Sequence, residues 1–247
     1  MIHSSLWFKE IKEYRKLFLF CLLFTILLGI IIPYYYDQVL ELPGNISAWE
    51  GITASSLHEN SWMQWTSVVL LQLAVITGIV LGFSSLSREL TGQTLGFLLS
   101  KPVSRREIVT TKAVVGVTLL IFYIFGTSLL FGLLSWKYGV GFPGPDSFFL
   151  SATVTFIISV IAYMTAFFFS ALFSRSWLSA LASILLWGAI FIPELNIAYE
   201  DYGIFSAMQE AGFWLGEENA FIPIGIGVVL AGIFYELAVY TWSRREY

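Results

Sequence analysis

The chain has 247 residues, of which 57% are hydrophobic, 17% aromatic and only 12% charged. This composition lies outside the range of soluble globular domains and indicates a membrane protein. The formal net charge of −4 sums basic and acidic segments that lie apart in the sequence, so it does not indicate a nucleic-acid partner.

The N-terminal residues 2–16, IHSSLWFKEIKEYRK, have the pattern of an amphipathic helix. Leu6, Trp7, Ile11 and Tyr14 fall roughly on one face of this helix, and its basic residues are offset from that face. We therefore predict a helix that lies on the inner membrane surface in contact with lipid.

Uncharged apolar runs follow along the rest of the chain. An apolar helix needs about 20 residues to cross a hydrocarbon core of roughly 30 Å. Runs near this length predict six transmembrane helices, at about 17–36, 66–86, 113–136, 148–173, 177–193 and 221–242. Residues 1–247 are accordingly predicted to form a single all-α transmembrane domain.

Basic residues predict the orientation of these spans, because loops rich in Lys and Arg stay in the cytoplasm. With both termini inside, all of the 13 Lys and Arg residues except Lys137 lie in inner segments, and the predicted outer loops hold acidic residues. The partition favours an even number of spans, with N and C termini in the cytoplasm.

The second predicted span contains Gly78 and Gly82, which form a G-x-x-x-G pair. Such a pair lets two helices approach closely within a membrane. It suits packing between helices of one subunit, and it also suits a seam between two subunits.

Residues 88–112, RELTGQTLGFLLSKPVSRREIVTTK, form a long polar interruption between the second and third spans. Leu95, Leu98 and Leu99 fall at i, i+3 and i+4, which predicts a short amphipathic helix, and Phe97 widens its apolar face. A proline then stops the helix, and Ser104 to Glu107 fit a capping box that starts the third span's helix before the membrane. The segment suits a docking element for a partner, or a hairpin lying on anionic lipid.

The outer segment 194–220 is longer than a simple connection requires, and it mixes apolar and aromatic residues with acids. We expect it to dip into the outer leaflet or to lie on it.

Glu236 is the only ionisable residue deep in a predicted span apart from residues at span ends. Charge within a span is costly and usually functional. Glu236 lies close enough to the inner end of its helix to pair with Arg244 or Arg245 at the interface, or it lines a transport path.

Catalytic and metal-binding patterns are missing from the sequence. His3 and His58 lie outside the predicted spans, Cys21 is the single cysteine, and no G-x-x-x-x-G-K-[ST] loop occurs. We therefore predict no catalytic residue, no metal site and no cofactor in this chain. Active transport would need an ion gradient or a separate energy-converting subunit.

The segment 88–112 resembles the stretch that follows the second span in type-two ABC permeases, the six-span membrane subunits of bacterial ABC exporters. The matching residues are Glu89, Gly92, Thr94, Leu95, Leu98, Leu99, Ser100, Pro102, Val103, Ser104, Arg105 and Lys112. Gln93, inserted between Gly92 and Thr94, and Gly96, where an acid is common, depart from the family pattern.

The resemblance implies that 88–112 is a cytoplasmic coupling segment whose short helix contacts a separate ABC ATPase subunit. The residues expected to make or support that contact are Glu89, Leu95, Phe97, Leu98, Leu99, Arg105 and Arg106. ATP and Mg²⁺ would bind to the partner ATPase rather than to this chain.

The resemblance also implies pairing with a second permease copy or a similar subunit in a bacterial plasma membrane. It suggests that residues 2–16 border the ATPase and that 194–220 form short re-entrant helices. The expected cargo is a peptide, an antibiotic or a lipid-like compound. The alternatives are a membrane immunity or sensor subunit without transport activity and an ion-coupled secondary transporter.

Overall fold

The structure, a computed structural model, describes residues 4–40, 65, 69–91, 104–137, 145–194 and 221–245. Within these ranges the chain is all-helical, which confirms the predicted class. The helices are α1 (Ser4–Leu40), α2 (Leu71–Phe83), α3 (Ser87–Thr91), α4 (Arg105–Lys137), α5 (Pro145–Leu172), α6 (Ser176–Glu194) and α7 (Phe221–Ser243).

Four helical stretches in the described part of the chain are long and apolar enough to cross a membrane. They are Leu71–Glu89, Arg105–Lys137, Phe148–Leu172 and Gly225–Ser243. The apolar stretch of α6, Ser176–Ile192, is shorter. The protein is thus a multi-pass membrane protein, while six spans and cytoplasmic termini stay predictions.

The N-terminal segment differs from the expected separate surface helix. Residues 4–40 form one continuous helix, so the amphipathic part runs without a break into the predicted first span. The sequence has no glycine or proline between Ser4 and Leu28, and nothing in it interrupts the helical hydrogen bonds there. The charged N-terminal residues are therefore joined rigidly to the span.

Helix α5 lies at the centre of the bundle and contacts α2, α4, α6 and α7. It runs parallel to α2, and the closest approach lies at the two glycines of the G-x-x-x-G pair. A Cβ added at Gly78 would lie 2.6 Å from the Ser159 carbonyl oxygen, and one at Gly82 would lie 2.6 Å from the Tyr163 carbonyl oxygen. Both glycines thus pack against α5 of the same subunit.

Tyr163 of α5 joins the bundle centre to α4. Its side chain is fully buried, and its hydroxyl donates a hydrogen bond of 3.0 Å to the backbone oxygen of Lys112. The tyrosine ring lies over Gly116, where a Cβ would collide with the ring. The start of α4 is thereby fixed in position next to α5.

Gly82→Ala is expected to lower the stability of the bundle by about 1–3 kcal/mol, because the new methyl group meets helix backbone rather than a flexible side chain. Gly126→Ala in α4 is the matched control, because no heavy atom lies within 4 Å of a Cβ at that position. Thermal unfolding in detergent measures both variants. Equal unfolding temperatures for the two variants would contradict the close contact between α2 and α5.

Candidate functional site

Five charged side chains meet at the end of the bundle where α1 begins, α2 ends and α4 begins. We call them the ion cluster: Lys9, Glu10 and Glu13 of α1, Glu89 of α3, and Lys112 of α4. Three segments that are distant in sequence therefore meet through charged groups.

Lys112 holds the centre of the ion cluster. Its Nζ lies 2.7 Å from Glu10 Oε2 and 3.0 Å from Glu89 Oε1. The side chains of Lys112, Glu10 and Glu89 are 1%, 0% and 3% exposed, respectively. Lys112 thus bridges two carboxylates in a site without access to bulk water.

Lys9 closes the ion cluster on its more open side. Its Nζ lies 2.9 Å from Glu89 Oε1, 3.4 Å from Glu13 Oε1 and 4.0 Å from Glu10 Oε1. Although burial would lower the pKa of Lys9, its hydrogen bond and charge attraction with Glu89 hold that pKa above its ordinary value. Burial raises the pKa of Glu10, and the neighbouring Lys112 opposes that rise.

The carboxylates of Glu10, Glu13 and Glu89 have oxygens within 4.8 Å of one another, a spacing that suits a cation. The Lys9 ammonium lies within 4.0 Å of all three. The Lys9 ammonium group thus already supplies positive charge to this group of carboxylates.

Burial makes the ion cluster cooperative. A buried charge is costly unless it is paired, and removing one partner of a buried pair leaves the other uncompensated. Glu10, Glu89 and Lys112 therefore stabilise one another, and loss of one of them leaves the others incompletely paired. α1, α3 and the start of α4 are consequently held together as one unit.

Helical spacing places Glu10 on the buried face of α1. Leu6, Glu10 and Tyr14 follow one another at i+4 and are all buried. Leu6 and Tyr14 were predicted on the apolar face, whereas the burial of Glu10 was not predicted because this residue belongs to the charged run KEIKEYRK. Its spacing between two apolar residues was the available signal.

Lys112 was counted among the inner basic residues and among the residues that match the family pattern, but its burial was not predicted. Ile108, Val109, Val115 and Gly116, at i−4, i−3, i+3 and i+4 from Lys112, are all buried. Helical periodicity thus places Lys112 on the inward face of α4. A buried lysine requires a carboxylate partner, and Glu89 and Glu10 supply it.

Serine hydroxyls fix the turn between α2 and α3. Ser170 of α5 accepts hydrogen bonds from the backbone N–H groups of Leu86 and Ser87, at 2.8 and 2.9 Å. The Ser87 hydroxyl also bonds to that of Ser176 at the start of α6, at 2.8 Å. These bonds orient the five-residue helix α3 so that Glu89 enters the ion cluster.

The predicted capping box at the start of α4 is confirmed. The Glu107 backbone N–H donates to Ser104 Oγ at 3.2 Å, and the Ser104 N–H donates to Glu107 Oε2 at 2.9 Å. Because the box stops the chain from fraying, α4 begins at Arg105, eight residues before the predicted third span.

Arg105 ties the start of α4 to the C-terminal end of α7. Its Nη1 donates to the backbone oxygens of Ser243 at 3.2 Å and Arg245 at 2.7 Å. Arg245 Nη2 in turn donates to the oxygen of Leu172, the last residue of α5, at 2.8 Å. Basic side chains thus satisfy terminal helix carbonyls, as is common at helix C-termini.

Glu236 pairs with a different arginine from those predicted. Its Oε1 lies 3.6 Å from Nη2 of Arg106, with both side chains more than half exposed. Arg245 instead binds Leu172, and the Arg244 guanidinium lies 4.4 Å from the ring centre of Tyr240. Glu236 therefore faces the outside of this subunit, beside the start of α4.

The predicted coupling residues divide into two groups. Leu95, Phe97, Leu98 and Leu99 lie outside the described residues, as does most of the outer segment 194–220. Glu89, Arg105 and Arg106 lie among the residues that the structure describes. Glu89 is buried in the ion cluster, Arg105 is partly buried, and only Arg106 of these three is exposed.

The described helices define a membrane-embedded helical protein with an ion-paired base. Residues 7–212 match the family model described as ABC-2 family transporter protein. The chain therefore belongs to the ABC-2 transporter family, the membrane permease components of ABC transporters. This identifies a transport component that is generally not itself an enzyme and whose partners include ATPase subunits. No curated protein matches the chain.

Lys112→Met is expected to destabilise the protein by about 3–5 kcal/mol, because it leaves Glu10 and Glu89 buried with one ammonium fewer. Lys137→Met, at the exposed opposite end of the same helix, is the control and should change stability by less than about 0.5 kcal/mol.

The double variant Glu10→Met/Lys112→Met should recover most of the loss, because it removes both members of the pair and leaves Lys9 with Glu89. Thermal unfolding in detergent measures all three variants. A double variant no more stable than the Lys112 single variant would contradict the pairing.

Proposed function

We propose that this chain is the membrane subunit of an ATP-driven exporter and that segment 88–112 couples it to a separate ATPase subunit. The observation that supports the proposal is that the two ends of segment 88–112 meet in the same buried ion cluster. Glu89 is its second residue and Lys112 its last, and their charged groups lie 3.0 Å apart.

The ion cluster gives the coupling segment a rigid base. A force on 92–103 reaches α3 and α4 together, because Glu89 and Lys112 lie 3.0 Å apart. Glu10 transmits the same force to α1, whose helix continues into the membrane without a break. Closure of the ATPase would thus move α1, α3 and α4 as one body.

Glu89, in this proposal, positions the coupling segment rather than touching the ATPase, since its carboxylate is buried. The expected contact face consists of Leu95, Phe97, Leu98 and Leu99. Arg106, which is exposed next to this segment, contributes positive charge towards the partner. Arg105 holds the base against the end of α7.

The cargo we propose is amphipathic or lipid-like. A cleft of about 240 Å³ lies between α2 and α6. Its lining is apolar except for one amide and an indole, and comprises Gln72, Val75, Ile76, Ile79, Ile184, Trp187, Gly188 and Phe191. The Trp187 N–H already donates to Thr165 at 3.0 Å, so Gln72 offers the main polar contact.

Transport measurements in vesicles separate this proposal from its rivals. With a second permease copy and the ATPase present, ATP-dependent flux supports the exporter. Flux driven by an ion gradient alone would indicate a secondary transporter. Binding of the ATPase without any flux would indicate an immunity or sensor subunit.

Leu95→Glu/Leu98→Glu is expected to abolish copurification of the ATPase subunit, because it places two charges on the apolar face predicted to enter the partner. Gln93→Glu, on the opposite side of the predicted short helix, is the control and should leave copurification unchanged. Thermal unfolding checks that the spans remain folded. Copurification and ATPase activity equal to those of the wild type would overturn the assignment.

A further inference from the structure

Helix α7 carries an open groove on its outward side. The groove has a volume of about 650 Å³ and is lined by Val229, Gly232, Ile233, Glu236, Leu237 and Tyr240. It lies within Gly225–Ser243, a stretch long and apolar enough to cross the membrane. The groove therefore opens towards the bilayer in this subunit.

The middle of the groove is apolar and has the shape of a notch. No heavy atom lies within 4 Å of a Cβ built at Gly232, while Val229 and Ile233 on either side are at least half exposed. The missing side chain at Gly232 thus leaves a shallow channel between two branched residues. A channel of this kind fits an acyl chain.

Charged groups close one end of the groove. Glu236 lies seven residues before the last residue of α7, which is about 10 Å along the helix at 1.5 Å per residue. Its carboxylate pairs with Arg106 at 3.6 Å, and Arg244 lies over Tyr240 one turn further along. One acid and two bases thus lie near the level of lipid headgroups.

We propose that this groove binds a phospholipid with a primary ammonium headgroup, such as phosphatidylethanolamine. The acyl chain follows the channel at Gly232, the ammonium donates hydrogen bonds to Glu236, and the phosphate accepts from Arg106 and Arg244. The ligand's one positive and one negative group complement the acid and the bases of the site.

Charge also disfavours other occupants of the groove. An anionic lipid without an ammonium group would bring its phosphate to the arginines but would leave Glu236 facing a negative headgroup. A second copy of the chain packed on this face would have to bury the exposed Glu236–Arg106 pair together with Arg244, and removing these charges from water is costly. The ammonium phospholipid satisfies all three residues.

Lipid retention tests the headgroup assignment. The protein is purified from vesicles that contain equal amounts of phosphatidylethanolamine and phosphatidylglycerol with identical acyl chains, and retained lipids are counted by native mass spectrometry. The wild type is expected to prefer phosphatidylethanolamine by about tenfold, the size expected from one charge-assisted hydrogen bond. Glu236→Gln should remove that preference.

A matched pair of glycine variants tests the channel. Gly232→Leu fills the channel and should lower phosphatidylethanolamine retention by about tenfold. Gly225→Leu adds the same bulk on the same helix, two turns away and outside the groove lining, and should retain lipid as the wild type does.

Three results would overturn the proposal. One is equal retention of the two lipids by the wild type, which would indicate electrostatic attraction of any phosphate. Another is phosphatidylethanolamine retention that stays at the wild-type level in both glycine variants or falls by the same amount in both. The third is a Gly232→Leu variant that changes the ratio of dimer to monomer but not the retained lipid, which would make this face a contact between copies.

Discussion

The buried ion pair between Lys112 and Glu10, with Glu89 as a second partner, is the constraint on which the base of this permease depends. Charges with so little exposure persist only when each finds its partner, so the pair fixes where α1, α3 and α4 meet. Apolar contacts also hold this end of the bundle, since Tyr14 of α1 and Val109 of α4 share a buried cluster with Tyr163 of α5. The charges add specificity to these contacts.

The buried ion cluster also bears on the transport function that we propose for this ABC-2 family member. Segment 88–112 can transmit movement, as we propose, only if its two ends do not move independently. Here the hydroxyl of Ser170 holds the turn before α3, the capping box holds the start of α4, and the ion cluster joins the two. The continuous helix α1 joins this base to the predicted first span, so a movement at the base would reach that span directly.

Much of the architecture was predictable from the sequence, because apolar runs and a capping box depend on local patterns. The helix starting at Arg105 and the close approach at Gly78 and Gly82 belong to this group. The ion cluster was not predicted, since Glu10 and Lys112 lie in charged runs that suggest solvated faces. That both side chains point into the bundle can be inferred only from the buried residues three and four positions away on the same helix and from the opposite charge of their distant partners.

The partner of Glu236 shows the same limit. Proximity in the sequence suggested Arg244 or Arg245 as its partner. Arg245 instead donates a hydrogen bond to the backbone oxygen of Leu172, and Arg106 of α4 pairs with Glu236. Local spacing identifies which side chains share a face, whereas contacts between helices depend on the whole bundle. The described part of the amphipathic stretch 2–16 and the predicted first span form one helix, because a change in polarity does not by itself end a helix.

The most direct test of the coupling account is the amount of cargo transported per ATP hydrolysed by the Glu10→Met/Lys112→Met variant, reconstituted with its ATPase partner. We predict that the complex assembles and hydrolyses ATP while the amount transported per ATP falls by about tenfold. The reason is that α1 and α4 are no longer joined by the Glu10–Lys112 pair and do not move together with the coupling segment. Transport per ATP equal to that of the wild type would contradict it.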